Sequence, residues 1–97
     1  MDIKTLQVEN RRLMILQLLA ADSDYSANDT LLQELLALQG NGVSLDVVRT
    51  DLAWLAEQDL IMLRELPGCK VATLRSRGID VANGLAVVPG IARPRPE

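Results

Sequence analysis

The sequence predicts a mainly α domain carrying one small β-hairpin, and three observations lead there. Residues 44–60 repeat apolar side chains at helical spacing. Residues 60–75 switch, without a linker, to strand-like patterning around a Pro-Gly pair. Two earlier apolar-periodic stretches are each followed by turn-forming residues. The chain has 97 residues, 48% of them apolar, which suits a single domain with a modest core.

In chain order, Asp2 to Ala21 is the first helix. Its early part is amphipathic, whereas LMILQLLAA (13–21) is apolar almost all round and so needs cover on more than one side. A second copy of the chain is expected to supply part of it. Asp22 to Ala27 reads as a polar loop. A second helix then runs from Asn28 to Gln39, capped by Asn28 or Asp29, with Leu31, Leu32, Leu35, Leu36 and Leu38 as its buried stripe. Gly40-Asn41-Gly42 turns the chain into a third helix capped by Ser44, and the spacing across that turn suits a helix-turn-helix crossing.

On the third helix Leu45, Val48, Leu52, Leu55 and Ala56 share one stripe with Asp59, and Asp46 in the first turn suits the helix dipole. Leu60 to Leu63 and Lys70 to Arg75 pair as a hairpin through Pro67-Gly68. Ser76 to Asn83 forms a short helix closed by Gly84. These elements make residues 1–84 the domain. Residues 85–97 form an extended tail: Leu85, Val87, Val88 and Ile91 are too apolar to float, and Arg93 to Glu97 is expected to fray.

Charge narrows the function. The net charge is −3, with −3 in residues 1–43, −3 in residues 44–60 and +3 in residues 61–97, so any basic surface lies on and after the hairpin. One cysteine and no histidine leave neither an internal disulfide nor a Cys/His metal site, and no cofactor is expected. Without a histidine base or a nucleophile motif, an enzyme is not expected. No membrane span is evident, and the N-terminus is too polar for a signal peptide, so a cytoplasmic location is expected.

The segments VSLDVVRTDLAWLAEQDLI and VATLRSRGIDVANG resemble the recognition helix, second wing strand and closing helix of winged helix-turn-helix regulators of the ArsR/MarR type, over about Ser26 to Gly84. VRTDLAWLAEQ and VPGIARP are similar to a small winged-helix protein of Mu-like prophages. The resemblance implies three helices, a two-stranded wing, a short closing helix and an extended tail. Asp59 stands where such proteins usually have glycine. Thr50 and Trp54 stand where DNA-reading members often place arginine or polar side chains.

Two functional readings follow. In the first, the chain is a dimeric regulator of double-stranded DNA, with Arg49 and Thr50 on the third helix and Arg64, Lys70, Arg75 and Arg77 on and after the wing as contacts. In the alternative, it is a protein-interaction or assembly module, with Val47, Ala53 and Trp54 as an outward apolar patch. Trp54 could equally pack under the wing or against the second helix. The acids around Arg49 favour a salt pair with Asp46 or a neighbour. A homodimer through the first helix and the tail is expected in either case.

Overall fold

A computed structural model describes residues 2–96. Its elements are α1 (Ile3–Ala21), β1 (Ser26–Asn28), α2 (Asp29–Leu38), α3 (Leu45–Glu57), β2 (Ile61–Leu66), β3 (Cys69–Leu74) and α4 (Ser76–Ala82). Helix starts follow cap chemistry. Asp2, Asn28 and Ser44 each accept a hydrogen bond from the backbone N–H three residues on, at the start of α1, α2 and α3.

Three helices end in the same way. After α2, α3 and α4 the chain places Gly40, Asp59 and Gly84 at φ +78°, +60° and +80°. The next residue then donates back across the turn: Asn41 N–H to Leu36 O at 2.9 Å, Leu60 N–H to Leu55 O at 3.1 Å and Leu85 N–H to Asp80 O at 2.8 Å. This is the Schellman arrangement, in which a left-handed residue satisfies the last carbonyls of a helix. Asp59 therefore occupies a glycine-type position, and the helix-to-hairpin turn forms without one.

The sheet corrects the two-stranded expectation. It has three antiparallel strands in the order β1-β3-β2. Ser26 and Ala27, expected as loop, and Asn28, expected at the start of the second helix, pair with Val71 to Thr73 of β3. Asp22 brings the chain round by accepting from Asp24 N–H at 2.9 Å and Ser26 N–H at 3.3 Å, and Tyr25 adopts φ +56°. Tyr25 O then accepts from Leu74 N–H at 2.8 Å, and the Ser26 and Thr73 hydroxyls meet at 2.7 Å. The hairpin turns at Pro67-Gly68 as expected, with Leu66 facing Cys69, but its first strand runs on to Leu66 rather than stopping at Leu63.

The core joins all layers: Ile15, Leu16 and Leu19 of α1, Leu32 and Leu36 of α2, Val48, Leu52 and Leu55 of α3, and Ile61, Ala72 and Leu74 of the hairpin. The all-round apolar end of α1 is largely covered by its own chain, since α1 packs on α2, α4 and β3. On α2 the stripe is narrower than expected, because Leu31 is 42% and Leu38 83% exposed. Gly78 lets α4 close on the α3–β2 junction; a Cβ there would stand near Leu60 O and 2.6 Å from the Leu74 side chain.

The tail docks through Val88 and Ile91, which are buried, while Leu85 and Val87 stay exposed, contrary to expectation. It returns across α1, where Ala92 N–H donates to Glu9 O at 3.2 Å. Of the segment expected to fray, Glu97 lies outside the described residues.

Candidate interaction surface

The solvent face of α3 is the surface that the sequence singles out. Asp46, Thr50, Ala53 and Glu57 follow one another at four-, three- and four-residue steps and are all exposed. Thr50 spends its hydroxyl on Asp46 O, at 2.9 Å. This face thus presents two carboxylates and no base.

The basic candidates are mostly engaged. Arg49 donates to Asp29 Oδ2 at 2.8 Å, so its partner is Asp29 of α2 rather than Asp46. Lys70 pairs with Glu65 at 3.2 Å. Arg77 donates to Gln58 O at the end of α3, the negative end of that helix. Arg64 and Arg75 are exposed and, among the described residues, their side chains have no hydrogen-bond or ion-pair partner.

Trp54 does not stand out in an exposed patch. It is half-buried between α1 and the tail, with the Arg12 guanidinium stacked 3.9 Å from its ring centroid. Arg12 also donates to Gly90 O at 2.9 Å. Gly90, at φ +97°, lies so close that a Cβ would be 2.8 Å from the indole. Of the expected apolar patch only Ala53 is exposed, while Val47 is half-buried.

Two carboxylates are buried: Asp51, which the sequence does not mark, and Asp29, which it marks only as a cap of the second helix. Asp51, 3% exposed on the inner side of α3, takes Arg11 Nε at 2.5 Å with Arg12 Nε 4.0 Å away. Asp29 is fully buried and accepts from Arg49, from Thr30 N–H at 2.8 Å and from Lys70 N–H at 3.2 Å, tying α2 to α3 and β3. Burial pushes the Asp29 pKa up, but the Arg49 side chain and the two backbone donors outweigh it and hold the carboxyl below its ordinary value. A signal existed for Asp51: an acid beside Val48, Leu52 and Leu55 on one stripe demands a base, and Arg11-Arg12 opens the apolar run of α1.

Among the described residues no group of three His, Cys, Asp or Glu could hold a metal ion, and no helix is long and apolar enough to cross a membrane.

Comparison with known proteins gives two relatives. The uncharacterized protein gp26 of Escherichia phage Mu is 49% identical over 94 residues, covering 97% of each chain. The chain belongs to the gp26 family. An uncharacterized protein of Haemophilus influenzae is 37% identical over 78 residues, covering 79% of this chain and 76% of its own. No family model matches the sequence, and no solved structure matches it. The phage Mu relative agrees with the prophage part of the sequence resemblance; neither relative bears on the ArsR/MarR part.

Proposed function

We propose that this gp26-family chain is a winged helix-turn-helix module of Mu-like phages and prophages that acts as a homodimeric protein-interaction or assembly unit. The winged-helix part is supported by the order helix, strand, helix, helix, hairpin, with β1 laid beside β3. The observation that carries the protein-contact reading is the solvent face of α3. Asp46 and Glu57 would be repelled by phosphate at the groove where a recognition helix must sit.

The reading as a DNA-binding transcriptional regulator keeps one specific support, the unpaired Arg64 and Arg75. Two phosphate contacts per chain give a salt slope no steeper than about −2 in log K against log salt, or about −4 for a dimer. The test is fluorescence anisotropy of a labelled mixed-sequence duplex, titrated at low and moderate salt. Binding absent at low salt is the expected result. Tight binding that weakens steeply with salt, and that is lost in the Arg64→Glu/Arg75→Glu double variant, would reverse the assignment.

A further inference from the structure

We propose that two copies of this chain pair α1 against α1, antiparallel and centred on Asn10. The inference rests on the homodimer reading above and adds where and in what register the copies meet.

The observation is the side of α1 turned away from its own core. Ile3, Leu6, Asn10, Met14, Gln17 and Ala21 follow one another at three- and four-residue steps, opposite the buried Ile15, Leu16 and Leu19. Ile3 is 73% and Leu6 45% exposed. Asn10, Gln17 and Ala21 are exposed too, and Met14 is half-buried. None of the six is charged. A helix face that ends in water ordinarily carries charged side chains, and here Lys4, Glu9, Arg11 and Arg12 all lie off the stripe.

A second copy fits this face better than an unrelated partner. Asn10 carries an amide that both donates and accepts, so it can pair with the same amide of an identical chain. A two-fold axis through Asn10 sets Asn10 against itself, Leu6 against Met14 and Ile3 against Gln17. Ile3, Leu6 and Met14 then each meet a side chain of this same stripe, as an isologous contact requires. A single polar residue amid apolar neighbours is also how paired helices fix one register. Charge agrees. Arg93 and Arg95 flank the groove beside Asn10, Met14 and Gln17. The antiparallel register brings the exposed Asp2 of the other copy to the C-terminal half of α1, within about a turn of that groove. Each chain carries −3, and the stripe adds no charge of its own to the approach of two copies.

The helix, about 28 Å long, covers less than the standard ~800 Å² per partner, so dimerisation in the micromolar range is expected. The test has two arms. Sedimentation equilibrium, from low micromolar to several hundred micromolar chain, should show twice the 10.6 kDa chain mass for the native protein. Ile3→Glu/Leu6→Glu, both exposed and so compatible with the fold, should weaken association at least tenfold with unchanged circular dichroism. In a Cys69→Ser background, Asn10→Cys should form an inter-copy disulfide under mild oxidation, and Glu57→Cys on α3 should not. A dimer that is insensitive to the double variant, or that fails to cross-link at Asn10, overturns the register while leaving the homodimer intact. A native chain that stays monomeric throughout overturns both.

Discussion

Replacing Trp54 by alanine distinguishes a packed tryptophan from a partner anchor, and the contacts set the size of the effect. A fully buried Trp→Ala change costs 3–5 kcal/mol, so Trp54, mostly but not fully buried, should cost about 2–4 kcal/mol. Losing the stacked Arg12 guanidinium adds about 0.5–1 kcal/mol. The sum, ~2.5–5 kcal/mol, is a large share of the 5–15 kcal/mol that holds a domain together. For a chain of this size it corresponds to a drop of at least about 10 °C in Tm. The assay is urea and thermal unfolding followed by far-UV circular dichroism, with a double-mutant cycle that adds Arg12→Met. We expect the two changes to be coupled by at least ~0.5 kcal/mol, since they share one contact. A loss below about 1 kcal/mol together with weakened association would refute the packing argument and restore Trp54 as an anchor.

Other consequences are as direct. Asp59→Gly should raise stability by about 0.5–1 kcal/mol in a thermal melt, because glycine adopts φ +60° without the penalty of a Cβ. Gly78→Ala should cost at least 2 kcal/mol, roughly the upper range for overpacking, since the obstacle is the Leu60 carbonyl rather than a flexible tip; an unchanged urea midpoint would show that α4 can move aside. Asp29 has a lowered pKa in the folded chain, so its contribution is present above the ordinary value of 3.8 and is lost as pH falls through the folded value. Asp29→Asn should therefore be less stable than the native chain at neutral pH, and its stability should fall less steeply below pH 3.8; parallel acid limbs would contradict this.

Elements with strong periodicity or strong punctuation were legible in the sequence. Ser44, Gly40, the Pro67-Gly68 turn and Gly84 marked boundaries that the structure keeps within a residue or two. Strand β1 was not legible, because three residues are too few to show alternation and their pairing depends on β3, more than forty positions away. The cover over Trp54 was not legible for a similar reason. A helical wheel places it off the core stripe of α3, but Gly90 and Arg12, remote in sequence, come to cover it. The charged candidates were found as residue types, whereas their availability was hidden: Arg49, Lys70 and Arg77 are held by Asp29, Glu65 and Gln58. Asp29 itself reads as a helix-start acid, and only the fold makes it a junction of three elements.

The strap formed by residues 88–92 has a consequence for how the molecule opens. Its bonds to α1, from Arg12 to Gly90 and from Ala92 to Glu9, close loops of roughly eighty residues. With α4 packed on α1 the chain is already closed as far as residue 82, so the strap rests on these two bonds and on two buried side chains, Val88 and Ile91. The strap is therefore the segment to detach first in a sub-global fluctuation, while α1–α3 and the sheet stay folded. Such an opening would wet the indole of Trp54 before the rest of the core. The intrinsic fluorescence of this single-tryptophan protein then reports on the strap, and its transition should precede the loss of helical signal.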